Sequence, residues 1–291
     1  MWNLASGGRM LLVATLATAV GCSPIGHQKE SSPLSPAQMS SDSVILDVYF
    51  VRCPFGDPVV NDQLWGEVDE QQIPLETRRR LAQNGFRAGV VGGQLPVALS
   101  RLLQLKDQPA ASNAALTTNV ADVGDEQGPM WSHKQLRAGK RSEIVTSEIY
   151  DELAVLKRED SGVCGRSYEK AQGVIAIRAL PASDGRVRLE LLPELHHGEV
   201  RRNFSGSSGA WRVDMARPKC SLDEMAISAD LTAGQMVLIT SLPNRPGSLG
   251  HHFLTTSSSG KLEQKLLVVR LSQTQHDGLF EPSTLPLDKM L

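Results

Sequence analysis

The sequence predicts an α+β protein, with a small α+β module on the N-terminal side followed by a mainly antiparallel β domain. Three observations predict it. Residues 43–106 alternate short β-type runs with helix-type runs. From residue 142 onward, short apolar runs follow one another with turn residues between them. Apolar residues make up 41% of the 291 and charged residues 21%, a balance that builds a packed core rather than a disordered chain.

Each element has its own reason. Residues 43–51 (SVILDVYFV) are β-branched and aromatic, a buried or half-buried strand, and the turn residues from Cys53 to Pro58 (CPFGDP) end it. Residues 61–70 place Leu64, Trp65 and Val68 on one helical face. Residues 74–84 open with Pro74, which suits a first helical turn, and stop before Gly85. Residues 86–91 (FRAGVV) form a second strand, and 95–105 (LPVALSRLLQL) a short amphipathic helix. The Ala-, Asn-, Thr- and Asp-rich stretch that follows reads as a linker or long loop. The expected organisation is therefore a module over 43–109, a linker over 110–140, a β-rich domain over 141–280 and a tail over 281–291. In the β-rich part, strands are expected at 142–148, 173–180, 187–192, 199–204, 210–215, 222–231, 235–242, 251–255 and 262–271. Asp184-Gly185 marks a hairpin turn. Val187, Leu189 and Leu191 alternate with Arg186, Arg188 and Glu190, so one face is buried and the other wet. Such spacing argues for an antiparallel sheet, a sandwich or a partial barrel. If strand 43–51 joins the C-terminal sheet, the boundary fails and the body is one domain.

The first 42 residues carry an address. Arg9 precedes an apolar run of 11 residues, 10–20 (MLLVATLATAV). A membrane-spanning helix needs about 20 residues, so the run suits the core of an export signal. It ends in Ala19-Val20-Gly21-Cys22. This pattern resembles the lipobox of bacterial lipoproteins, with Ala19 standing where leucine is commonest. The resemblance implies a signal peptide over 1–21, cleavage before Cys22, a diacylglyceryl group on the Cys22 sulfur and acylation of the new amine. It also implies a protein of the cell envelope, lipid-anchored to a bacterial membrane, with its body in the periplasm or at the cell surface. The segment after the cysteine holds three prolines, many serines and little large apolar surface, so 22–42 reads as a disordered tether.

A second resemblance lies further along. The run 187–194 (VRLELLPE), then 222–231, then 233–242 (AGQMVLITSL), resembles part of the β-domain of the secretin family, the outer-membrane portals of bacterial secretion and pilus systems. It covers residues 173–250, less than a third of the chain. The chain as a whole is similar to lipoproteins of planctomycete type, a family that carries no activity over to these residues.

Composition excludes some functions. Thirty basic and 32 acidic side chains give a formal charge of −2, with no bulk attraction to nucleic acid or to an anionic membrane face. Aromatic residues at 4% leave little for a broad stacking platform. The pairs His196-His197 and His251-His252 are read as strand-end or turn residues, because neighbours on a strand point to opposite faces and no His-Glu-x-x-His helix is present. No Gly-x-Ser-x-Gly elbow occurs, and 205–209 (SGSSG) is read as a loop between strands. Residues 89–93 (GVVGG) lack the lysine of a phosphate loop and are read as a turn with positive φ. Arg78, Arg79 and Arg80 are read as a solvated helix face, and Trp65 and Trp211 as core. No catalytic, cofactor-binding or metal-ligating residue is assigned, and no cofactor is expected.

The cysteines say more. With Cys22 lipidated, Cys53, Cys164 and Cys220 remain, and an exported chain meets an oxidising compartment. Cys53 ends an apolar strand and is the expected buried thiol. Cys164 and Cys220 sit in polar, turn-like contexts (SGVCGRS and RPKCSLD) and form the expected disulfide, although three pairings are open. The expected function is a lipid-anchored envelope protein that binds or assembles without catalysis. Its partners are then the membrane, through the anchor, and an envelope protein. The alternative is a lipid-anchored envelope hydrolase whose site converges only in three dimensions. An open pocket holding histidine with serine, cysteine or carboxylates would favour the hydrolase. An exposed sheet edge or apolar patch would favour the binding protein.

Overall fold

The computed structural model describes residues 43–103, 129–159, 162–207, 210–258, 260–274 and 287–289. In chain order, β1 (Ser43–Pro54) leads through a π-turn (Val59–Gln63) and a 3-10 turn (Leu64–Gly66) to α1 (Leu75–Gln83), β2 (Phe86–Val91) and α2 (Val97–Leu102). Then come β3 (Met130–Arg137), β4 (Arg141–Val145), β5 (Tyr150–Glu159), β6 (Gly162–Pro181), β7 (Val187–His196), β8 (Arg201–Ser207), β9 (Ala210–Ala216) and β10 (Lys219–Ser221). A 3-10 turn (Asp223–Met225), β11 (Ile227–Leu231), β12 (Met236–Ser241), α3 (Leu249–Leu254), β13 (Thr255–Ser258), β14 (Lys261–Thr274) and a last 3-10 turn (Leu287–Lys289) complete the described chain. The expected class holds: antiparallel strands dominate, with a few helices and a β-rich C-terminal part.

Two sheets share one core. The first runs β2-β12-β14-β1-β3, with β13 also on β14; the second runs β10-β7-β6-β4, with β11 on β7 and β5 on β6. Among the described residues, β8 and β9 form a two-stranded sheet of their own. Val44, Leu46 and Val48 of β1, Val237 and Ile239 of β12, and Leu267 and Val269 of β14 meet Ile175 and Ile177 of β6 and Leu189 and Leu191 of β7 in a single buried cluster. The other face of the first sheet carries Val51, Cys53, Leu238 and Val268, covered by Val60, Leu64, Trp65 and Leu99. β1 is therefore covered on both faces, which accounts for its nearly unbroken apolar sequence.

This pairing corrects the expected domain boundary. β1 lies between β14 and β3, paired from Val44↔Thr274 to Pro54↔Glu263 against β14 with a one-residue register shift between Ile45 and Leu46. β2 pairs with β12 from Met236↔Val91 to Ser241↔Phe86. The strands read as an N-terminal module thus lie in one sheet with C-terminal strands. The physical reason is simple. Periodicity shows that a segment is a strand, but the edge it pairs with is set by long-range packing.

Other expectations hold or shift by local chemistry. The helix after Pro74 is α1, and it stops before Gly85, whose φ is +82°. The expected helix over 61–70 is instead the π-turn and the 3-10 turn, although Leu64, Trp65 and Val68 are buried as its apolar face required. The strand expected at 251–255 is mostly helix. Ser248 caps α3 by accepting from the His251 N–H, and Leu249, Phe253 and Leu254 bury its inner side. α3 sits so close to the end of α1 that a Cβ on Gly250 would lie 2.0 Å from the Gly85 carbonyl oxygen. The 222–231 strand is shorter than expected, because the turn at Asp223–Met225 takes its first half. Asn84, at the end of α1, clamps the backbone of β5: its amide donates to the Arg158 carbonyl at 3.1 Å and accepts from the Arg158 N–H at 2.9 Å.

A fragment of residues 141–291 loses β1, β2 and β3 and leaves both the β12 and β14 edges open. It is expected to be insoluble, or to show no cooperative melt by circular dichroism. A soluble, cooperatively melting fragment would restore the two-domain division.

Candidate functional site

The second sheet carries different chemistry on its two faces. Cross-strand partners share a face, and the outer face receives Arg141 and Glu143 from β4, Glu194 and His196 from β7, and Lys219 and Ser221 from β10. Glu194 is fully buried at their centre. The Arg141 guanidinium donates Nη1 to Oε1 at 2.8 Å and Nη2 to Oε2 at 2.7 Å. His196 Nε2 lies 3.0 Å from Oε2, the Ser221 hydroxyl donates to Oε1 at 3.4 Å, and Lys219 Nζ is 3.8 Å away. Burial alone would raise the Glu194 carboxyl; the hydrogen bonds from His196 and Arg141, with the charges of Arg141 and Lys219, outweigh it and hold the group down at about 2. Glu143, Glu194 and His196 also bring ligand atoms within 4.8 Å of one another. Arg141 donates to both carboxylates, at 2.6 Å to Glu143, and supplies there the positive charge a cation would bring. The cluster is an ion-pair network.

The inner face opens into a groove. Pairing of β5 with β6 sets Lys157 opposite Cys164, Val155 opposite Arg166 and Leu153 opposite Tyr168, so these side chains share one face. The facing wall is Cys220 of β10 and Leu222, with Leu195 and Leu249 also lining the space, whose volume is about 210 Å³. The Tyr168 hydroxyl donates to Cys220 Sγ at 3.6 Å, and the His197 ring tilts against the Tyr168 ring with centroids 4.9 Å apart. Burial and the neighbouring Cys220 push the Tyr168 phenol up, against the pull of Arg166. Burial, with the charges of Arg166 and Arg201, pushes the His197 imidazole down. Lys157 bridges Glu159 at 3.1 Å and Glu224 at 3.8 Å, which ties the arm formed by β5 and β6 to the turn after β10.

The residues singled out from sequence fall as follows. Cys22, with the signal segment and the tether, lies outside the described residues. Cys53 is buried, its sulfur 3.4 Å from the Gln264 carbonyl, and burial with the nearby Asp57 and Glu263 pushes its thiol up to about 12. Cys164 and Cys220 are both free thiols, which corrects the expected disulfide, yet they line the same groove. Cys164 lies in β6 and Cys220 in β10, not in turns. His196 and His197 serve different neighbours, the first Glu194 and the second Tyr168. His251 and His252 lie on α3, packed edge-on against Phe55 and Tyr150, and burial pushes both imidazoles down. Arg80 is buried and donates to Glu76 at 3.1 Å, so only part of the arginine run is solvated: the helical period turns it inward beside Leu81. Gly89 lies within β2 with no positive φ, and its small size admits Val68. Trp65 is core, with the Arg87 guanidinium 4.3 Å above its ring, and Trp211 falls in β9.

Arg141, Glu194, Arg166 and Tyr168 carry the polar chemistry of these faces, and sequence reasoning singled out none of them. Glu194 had one signal: a charged residue closing the apolar run that ends in Pro193. No protein-family model matches the chain, and no curated protein is similar to it.

Glu194→Gln is expected to cost about 3 kcal/mol at pH 7, because it leaves the Arg141 guanidinium buried beside a neutral amide. A carboxyl held below its ordinary value stabilises the fold above about pH 4.5, and that contribution is lost as pH falls toward 2. Urea denaturation should therefore show the wild-type advantage over Glu194→Gln narrowing across that window. An unchanged advantage at pH 2.5 would contradict the assignment.

Proposed function

We propose that this chain is a lipid-anchored protein of the bacterial cell envelope that binds or assembles with an envelope partner rather than catalysing a reaction. The observation that carries the reading is the apolar run 10–20 closing on Gly21-Cys22, with a Ser- and Pro-rich stretch between that cysteine and the first strand at Ser43. Lipid on Cys22 holds the body at the membrane through the tether, and acyl burial contributes about 0.8 kcal/mol per CH₂.

The surface supports a binding role. β3 forms an edge of the first sheet and carries Trp131, half-exposed and stacked on Tyr49 with ring centroids 6.4 Å apart. Leu156 and Val163 are exposed on the outer face of the β5–β6 arm, on cross-strand pairs two residues apart. Unpaired strand edges and exposed apolar side chains are where partners add to a sheet protein. The segments that resemble the secretin β-domain lie in β7, in β11 with the turn before it, and in β12, and an assembly role agrees with that likeness.

The competing reading, a lipid-anchored envelope hydrolase, would place its chemistry in the groove. There the hydrogen-bond partner of Cys220 is the Tyr168 hydroxyl, which donates to the sulfur and takes no proton from it. Turnover of an ester or amide panel that Cys220→Ala abolishes would favour the hydrolase.

Cys22→Ala is expected to abolish lipidation while the body still folds, because no neighbouring side chain supplies a thiolate. The variant should leave the detergent-extracted membrane fraction or persist as uncleaved precursor, and wild type should carry its acyl mass on Cys22 by intact mass spectrometry. Wild type recovered soluble, with an unmodified Cys22, would overturn the proposal.

A further inference from the structure

The groove between the β5–β6 arm and β10 keeps a fixed width, because three separate contacts brace the arm. Asn84 clamps the Arg158 backbone, Leu156 bridges Ser248 in parallel, and Lys157 reaches across to Glu224. The space between the walls is therefore preformed. Its floor is apolar, made of Val155, Leu195, Leu222 and Leu249, and its volume is about 210 Å³. A cavity of about 150 Å³ holds benzene, so this one has room for a benzene-sized body with a polar head.

Charge is spread unevenly along the groove. Toward the hairpin end, Lys157 is met by Glu159 and Glu224. Toward the sheet stands Arg166, opposite Val155, and its guanidinium bonds the Tyr168 hydroxyl, a neutral partner. The His197 ring packs on Tyr168 and feels the positive charges of Arg166 and Arg201. Among the described residues, no carboxylate forms an ion pair with Arg166 or Arg201. That end of the groove thus gathers positive charge without a counter-ion from its own walls.

We propose that the groove binds a small free monocarboxylate with a flat or short apolar body, its carboxylate on Arg166 and its body over Val155, Leu195, Leu222 and Leu249. The planar guanidinium matches a carboxylate with two parallel N–H donors. Glu159 and Glu224, at the other end, repel a second negative group, which favours a monocarboxylate over a dicarboxylate. Arg166 is exposed, so its charge adds modest affinity and sets the choice of head group, while burial of the apolar body supplies the rest. The walls need no movement to admit the ligand. The site stands on the groove alone and not on the envelope reading, so either can fail without the other.

The test uses the full chain with its thiols reduced and benzoate as the probe. Binding is read by saturation-transfer NMR, and its place by the rate at which iodoacetamide alkylates Cys220, which lines the groove. Benzoate is titrated to about 10 mM, above the millimolar Kd within reach of so small a ligand. It should bind and slow alkylation of Cys220. Benzamide, the neutral analogue, should bind about fivefold more weakly, and acetate, the head without the body, more weakly than benzoate. Arg166→Gln should bring benzoate down to the level of benzamide and leave the melting temperature within a degree or two of wild type. The benzamide comparison is made on wild type and needs no variant to fold. Benzoate that fails to bind, or that binds without protecting Cys220, would overturn the proposal. So would equal binding of benzoate and benzamide, or undiminished benzoate binding by Arg166→Gln.

Discussion

The antiparallel seam between β1 and β14 is the constraint on which the rest of the structure depends. Eleven consecutive residues of β1 align with β14, from Val44↔Thr274 to Pro54↔Glu263, across more than two hundred residues of sequence. That seam places β1 inside the first sheet, between β14 and β3, and gives β3 an edge to join. It also puts Val44, Leu46 and Val48 into the core between the sheets, and Val51 and Cys53 into the core beneath the helical layer. Without it β14 would expose a long apolar edge, and both cores would lose a wall. Such distant pairing carries a loop-closure cost in chain entropy.

The second sheet divides its labour between two faces. Its outer face gathers Arg141, Glu194 and His196 into a network that holds β4 and β7 together through the intervening β6, with Leu287 packed on Ala176 and Leu192 beside it. A buried carboxylate that receives this many donors is tolerated only because Arg141 meets it with both terminal nitrogens. The inner face is apolar where it meets the first sheet and turns polar only where the arm of β5 and β6 stands beyond it. The arm is where reactive groups are accessible: Cys164, Arg166 and Tyr168 face the groove, while Leu156 and Val163 face away from it. One hairpin thus presents a thiol-bearing inner wall and an apolar outer surface.

Much of the strand content was legible because period-two alternation survives in any sheet. Val187, Leu189 and Leu191 are buried and Arg188 is exposed, as their alternation required. Pro74 and Gly85 bracketed α1, and the apolar context of Cys53 marked it as the buried thiol. Three kinds of information were not legible. Pairing partners were hidden, because β1 matches β14 through packing and not through any local signal. α3 was read as a strand because its short length leaves one helical turn of pattern, too little to outweigh the β-type residues around it. The Glu194 network was invisible because Arg141 and Glu194 come from strands 53 residues apart, with β6 between them in the sheet. Cys164 and Cys220 were grouped by context, but only the fold shows that they share a groove while remaining thiols.

The most direct test of the β1–β14 seam is native-state hydrogen exchange on the whole chain, followed residue by residue in β1, β14, β6 and β7 under increasing denaturant. If the seam makes the body one cooperative unit, the protected amides of β1 and β14 should converge with those of Ile175, Ile177, Leu189 and Leu191 on a single opening free energy. Amides of β1 and β2 that exchange together at much lower free energy, while β6, β7 and β14 stay protected, would contradict it.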